Sequence, residues 1–264
     1  MINSFKSELV RFKKTARTTT LVMIGMALMV TSFMFIGFEP AGPGGGNAGG
    51  GRDFGGADLS TVGGNVEGLA FAATFLGIAA LAMWALSIAR DYEKGTIRML
   101  LVGQPRRAVL LGGKLANLAA ITIVGVAVAT IGAVGLSYAL APLNEVDTAL
   151  WSTTAGWTEV WTTFSNLAIA TTVWGLIGAV LAMMTRSAAT SITAGLAYLM
   201  VGESLLGIVW DAASQWLPSG ILTAFTSGGT NLVSYSKSTW MLIGYVTASL
   251  LALFVVFQRR DITD

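Results

Sequence analysis

Two places in the chain carry residues that could do chemistry. One is the stretch "ARDYEKGTIRMLLVGQPRRAVLLGGKLA", Ala89 to Ala116, which holds six of the sixteen Lys and Arg residues (Arg90, Lys94, Arg98, Arg106, Arg107 and Lys114) between long runs with almost no charge. The other is Glu203, a lone acid inside "YLMVGESLLGIVW". The chain has no His and no Cys, so imidazole bases, thiolate nucleophiles, disulfides and the usual zinc ligand sets are excluded. Hydrolytic chemistry would then need a Ser-Lys pair or two intramembrane carboxylates, and neither is visible. "GGKLA", Gly112 to Ala116, superficially resembles a nucleotide-binding lysine loop. Leu115, however, stands where Ser or Thr should hold magnesium, and Ala108 where the first Gly should be. The chain is expected to be no enzyme and to hold no cofactor of its own.

The elements that position these residues follow from composition. Hydrophobic residues make up 54% of the 264 and charged ones 11%, with a mean hydropathy of +0.69; this is the balance of a membrane protein. A helix crossing a hydrocarbon core of about 30 Å needs roughly 20 mainly apolar residues. Six runs qualify: 19–38, 68–89, 115–140, 162–184, 191–210 and 240–257. They lack the alternation of barrel strands, so the fold class is all-α, a polytopic protein forming one transmembrane domain over 1–264. The first run lies behind five positive charges with no convincing cleavage site, and is expected to stay in the mature chain.

Orientation follows from the basic residues. The N-terminus has Lys6, Arg11, Lys13, Lys14 and Arg17; Arg186 lies between spans four and five, and Arg259 and Arg260 follow span six. With the six of the loop, fourteen of the sixteen fall on one side of a six-span layout, and only Arg52 and Lys237 on the other. Both termini are predicted cytoplasmic, in a multi-pass protein of the cell membrane. Positive-inside topology accounts for the basic face without a nucleic-acid partner. Trp151, Trp157, Trp161, Trp210, Trp216 and Trp240 fall near the predicted outer boundary, where an indole meets lipid and water; Trp84 and Trp174 fall inside spans.

Outside the spans, 39–67 is an outer loop with eleven of the 32 glycines between Gly42 and Gly64, a composition that predicts a floppy coil. Residues 211–239, punctuated by Pro218, Gly220 and Gly228-Gly229, are expected to form short broken helices. These either re-enter the outer leaflet, where protein must satisfy the backbone, or rest on the surface. The spacing of Gly125, Ala129 and Ala133 predicts a close helix approach. Glu203 would cost about 2.5–3.5 kcal/mol at the bilayer centre unless neutral, paired or facing water. A place in a translocation path is the expectation, against a structural hydrogen bond between helices or a position nearer the outer boundary.

The loop 90–114 is too long for a hairpin and too charged for the bilayer. Asp91 and Glu93 precede Lys94 and Arg98 at helical spacings, which predicts a short amphipathic helix over Tyr92–Leu101 with internal ion pairs, ended by Gly103 and Pro105. Its role is a docking surface, with a helix lying on lipid headgroups as the alternative.

"DYEKGTIRMLLVGQPRRAVLLGGKL" resembles the permease subunits of ABC-2-type transporters. Glu93, Gly95, Thr96, Pro105, Arg107 and Lys114 match that family's acidic-Gly-Thr, Pro-Ser/Thr-Arg and Gly-Lys pattern, with Arg106 where the family usually has Ser or Thr. The likeness extends over the chain: a basic N-terminal segment, six spans, a Pro-containing outer segment before span six and a terminal "FQRRDITD". The resemblance implies that the loop carries a coupling helix, involving Asp91, Glu93, Lys94, Gly95, Thr96, Arg98, Pro105 and Arg107, that seats in a separate cytoplasmic ATPase. It also implies that two permease chains assemble with two ATPase copies which hold the ATP and magnesium, that residues 1–18 form an interfacial helix, and that 211–239 caps the path of an exporter. A secondary transporter or channel would want more intramembrane ionisable groups or matched broken helices in both halves, and six spans exceed what a non-transporting anchor or sensor needs.

Overall fold

The computed structural model describes residues 2–36, 59–95, 107–210 and 212–259. Among these, six helices are long and apolar enough to cross a membrane, and every extended element is helical. They are α1 (Ile2–Ile36), α2 (Glu67–Glu93), α3 (Arg107–Leu140) and α4 (Thr154–Thr185); a fifth span made of α5 (Ala188–Ala197), a π-helical turn (Tyr198–Gly202) and α6 (Glu203–Val209); then α7 (Pro218–Thr226) and α8 (Tyr235–Arg259). The all-α polytopic fold read from the sequence is the observed one.

Lipid tails are as apolar as Leu, so helices in a bilayer associate through close packing and polar contacts rather than through apolar burial. The α2–α4 seam is built in that way. Trp84 of α2 lies over Gly175, where an added Cβ would come within 2.6 Å of the indole, and Trp174 of α4 lies over Gly77 with a corresponding 2.3 Å. At Gly178 the obstacle would be the carbonyl oxygen of Leu81, at 2.4 Å. Each large ring thus occupies the notch left by a glycine on the facing helix. The Trp84 indole N–H is satisfied by Thr122 Oγ1 on α3 at 3.0 Å. The Gly125-Ala129-Ala133 series also behaves as its spacing predicts: Ala129 and Ala133 are fully buried with Met23 and Ala27 of α1, and a Cβ on Gly125 would meet Met23 Sδ at 2.8 Å.

Several boundaries differ from the sequence expectation. The N-terminal segment is continuous with the first span in one helix from Ile2, so no separate interfacial helix is delimited at 1–18. The third span starts at Arg107 rather than 115, and the second continues to Glu93. The helix expected over Tyr92–Leu101 does not start at Tyr92: Tyr92 and Glu93 are the last turn of α2, and Gly95 closes it in the left-handed region, φ 62°. A glycine adopts that conformation without Cβ strain.

At the end of the bundle remote from the basic loop, the turn after the Gly-rich stretch is packed rather than loose. Leu59 is buried with Phe35, Ala141, Val146 and Trp151, its carbonyl accepts from the Trp151 indole at 3.0 Å, and Gly64 passes so close that a Cβ there would overlap Leu59 O. Trp151 is fully buried, so it is core to this cap and not an interfacial anchor. Trp157, Trp161, Trp210, Trp216 and Trp240 are exposed, as anchors require. The rest of the Gly-rich loop lies outside the described residues.

The segment before α8 is broken as expected: a 3-10 turn at Ala213–Gln215, then α7, then a single bridge between Gly229 and Ser234. Leu222 and Phe225 of α7 pack with Leu81, Val173, Trp174 and Leu242. Leu81 and Trp174 stand near the midpoints of α2 and α4, so α7 dips into the bundle instead of lying across its end.

Candidate functional site

The basic loop is anchored by a buried polar junction. Asp91, in the last turn of α2, and Lys114, two turns into α3, form an ion pair, with the two residues only 4% and 7% exposed. Lys114 Nζ also donates to the Ser87 carbonyl, one turn earlier on α2, at 2.9 Å. Two charges taken out of water persist only where geometry and additional hydrogen bonds compensate the desolvation, and the Ser87 carbonyl supplies one such bond. Ser87 Oγ and both amide atoms of Asn117, one turn after Lys114, are buried without a partner among the described residues, so the surroundings of the pair are polar.

A second tie comes from Glu93. Its Oε1 accepts from the backbone N–H of Ala188, the first residue of α5, at 2.7 Å. The same helix start is capped by Ser187, whose side chain accepts from Thr190 N. The first N–H groups of a helix have no partner within it, and a carboxylate there also opposes the positive end of the helix dipole. Glu93 thereby fixes the end of α2 to the start of the fifth span, across the sharp α4–α5 turn in which Arg186 adopts φ 59°.

Of the sequence-predicted coupling residues, Asp91 is thus a buried tie that pairs with Lys114, and Glu93 is an exposed side chain whose carboxylate reaches the start of α5. Lys94 is exposed and ends α2, its N–H bonded to Arg90 O at 3.0 Å; Gly95 follows in the left-handed turn. Thr96, Arg98 and Pro105 lie outside the described residues, and Arg107 is the first residue of α3. Sequence reasoning missed Lys114 as a partner, since it was placed in the loop. Extending the apolar period of α3 back through Leu110 and Leu111 would have put Lys114 inside a helix and demanded a buried acid.

Glu203 sits at a break in the fifth span, directly after the π-helical turn Tyr198–Gly202. Such turns insert one residue per turn and are frequent at functional sites. Glu203 Oε1 accepts from Ser219 N at 3.0 Å, and Ser219 is the second residue of α7, behind Pro218 at the first position, where a proline costs no hydrogen bond. Glu203 therefore holds the N-terminus of the dipping helix, with Tyr198 and Tyr245 beside it. Tyr245 in turn donates from its hydroxyl to the Trp216 carbonyl, while Lys237 reaches Gln215 Oε1 at 3.3 Å and lies over the Trp216 ring. The structure gives Glu203 the inter-helix hydrogen bond named among the sequence alternatives, made to a main-chain N–H.

Residues 53–263 match the model of a family described as protein of unknown function, DUF2705. The chain belongs to that family. The match runs from within the Gly-rich loop through α8, so both sites lie within the family's shared region. No curated protein matches the chain.

Proposed function

We propose that the chain is the membrane-spanning permease subunit of an ATP-driven exporter of the ABC-2 type, coupled through residues 94–106 to a separate cytoplasmic ATPase that binds ATP and magnesium. The observation that carries this reading is the way the basic loop is tethered. Its first end is fixed to α5 by Glu93 and to α3 by the Asp91–Lys114 pair, and its second end is α3 itself. A push delivered to the ends of such a loop passes to α2, α3 and the fifth span together, as a rigid-body lever requires. A loop serving only to connect two spans needs no buried ion pair beneath it.

The remainder of the bundle supports a partner chain. The fourth span's most apolar stretch is 67% buried, while those of the fifth and sixth are 6% and 17% buried, with Ile208 and Val209 at 78% and 88% exposed. In the proposed exporter two permease chains face one another across the fifth spans, and the Glu203–α7 latch gates the path between them. Both termini then lie in the cytoplasm, and the membrane is the cell membrane.

The test is purification of the tagged chain from native membranes in a mild detergent. The reading predicts an ABC-type ATPase in equal stoichiometry and ATP hydrolysis that is lost when Glu93 is replaced by Ala. A chain that purifies intact with no ATPase under several mild conditions overturns it.

A further inference from the structure

At the end of the bundle remote from the basic loop, a cavity of about 350 Å³ lies between α2, α4 and the C-terminal end of α7. We propose that it binds an organic ammonium ion, a primary or secondary amine carrying an apolar group, irrespective of whether the chain is an exporter.

Charge is the first argument. Glu67 and Glu159 both line the cavity, and among the described residues its lining includes no Lys or Arg. Glu67, the first residue of α2, is half-buried. Glu159 lies over Gly63, where a Cβ would come 3.0 Å from its Cγ, so a glycine in the preceding turn makes the room it occupies. Thr226, the last residue of α7, and the two residues after it, Ser227 and Gly228, form another wall, and a helix C-terminus favours cations. Three sources of negative potential thus converge on a space with no counter-charge among the described residues, an arrangement completed by a bound cation.

The second argument is a hydroxyl with no other occupation. Most threonines of α4 bond back to the carbonyl four residues earlier, as Thr162 does to Thr158 O at 2.9 Å and Thr172 to Ala168 O at 2.7 Å. Thr163 lines the cavity, is only 8% exposed and makes no hydrogen bond within the described residues. Its oxygen is open to the cavity, where a ligand N–H would satisfy it. Asn166, also lining the cavity and 5% exposed, is held in place by the Tyr235 hydroxyl, which donates to its Oδ1 at 2.9 Å.

Size and lining then choose the kind of cation. A metal ion draws oxygen ligands to about 2.0–2.6 Å, far tighter than this space, whereas pockets of about 300–1,000 Å³ hold small organic molecules. Phe71 and neighbouring small apolar residues form one wall, and a ring beside a cation attracts it. Carboxylates and a hydroxyl on one side with a ring on the other match an amine that donates hydrogen bonds from its charged head.

The experiment is calorimetric titration of the full chain in lipid nanodiscs with 2-phenylethylammonium. Binding is expected, with Glu67→Gln and Glu159→Gln each weakening it by about tenfold or more, the loss of one charge-assisted hydrogen bond. Thr163→Val should weaken it severalfold without lowering the thermal midpoint, because that hydroxyl has no partner to lose among the described residues. The neutral 2-phenylethanol should not compete. Equal affinity in wild type and both Gln variants, equal affinity for the neutral analogue, or calcium binding that leaves amine binding undetected would each overturn the proposal. Should the Gln variants fail to fold, Thr163→Val decides it: unchanged amine affinity in that variant is the overturning result.

Discussion

Replacing Lys114 with Met would remove a counter-ion of Asp91 in a site where the two side chains are 9% and 6% exposed. An exposed pair contributes about 0–1 kcal/mol, but loss of one partner of a buried pair costs about 3–5 kcal/mol because the other charge remains desolvated. The Ser87 carbonyl also loses its donor at 2.9 Å, for roughly 1 kcal/mol more. Lys114→Met is therefore expected to lose about 4 kcal/mol or more of stability. The double variant Asp91→Leu with Lys114→Met removes both charges together and should regain most of that loss, since replacing a whole buried pair with apolar groups is often neutral. Reversible denaturant unfolding in mixed micelles, run on wild type, both single variants and the double variant, gives the coupling between the positions. The reasoning is refuted if Lys114→Met costs less than about 1 kcal/mol, or if the double variant is as unstable as the sum of the singles.

Gly178→Ala should destabilise by about 1–3 kcal/mol, the usual cost of overpacking, because the obstacle is the Leu81 main chain; Gly244→Ala, with nothing within 4 Å, should be neutral or stabilising in the same unfolding assay. Glu93→Ala should lose about 0.5–2 kcal/mol of local stability at the start of α5, seen as faster hydrogen exchange at Ala188 and the following amides. Glu203→Leu should release α7 and expose 211–217 to proteolysis, whereas Glu203→Gln, which still accepts from Ser219 N, should protect it; equal cleavage of both would remove the latch. Because the chain has no cysteine, Gly50→Cys and Ser234→Cys should react with an impermeant maleimide in intact cells while Ala188→Cys should not, and labelling of Ala188→Cys from outside contradicts the proposed orientation.

The six spans were legible because each is an apolar run long enough to cross a bilayer, a property of composition that needs no partner. The α1–α3 approach was legible for a related reason: Gly125, Ala129 and Ala133 share a helix face whatever lies opposite. What failed were positions whose role depends on another element. Lys114 looked like a loop residue because a charge inside a span is unfavourable alone, and only its pairing with Asp91, across the basic loop, makes it a helix residue. Glu93 was read as a local helix partner of Lys94 and Arg98, but it bonds to a main-chain N–H of α5, and an N–H carries no side-chain signature. Trp151 looked like its interfacial neighbours until Leu59 was seen to accept from its indole. The break in the fifth span left no mark at all, since "YLMVG" contains no proline and is as apolar as an unbroken helix. Glu203 was singled out by its cost in the bilayer, and that same cost explains why it is met by the helix terminus at Ser219.

The proposed function requires the loop following α2 to engage a cytoplasmic protein and not the headgroups of the bilayer. The most direct measurement is to place a photo-crosslinking amino acid at Thr96 in the full chain, irradiate native membranes and identify the adducts by mass spectrometry, with Gly50 as the comparison position. A dominant Thr96 adduct with an ABC-type ATPase is expected, absent from Gly50 and changing in yield when ATP is added. Adducts at Thr96 with phospholipid alone, at a yield insensitive to ATP, would contradict it.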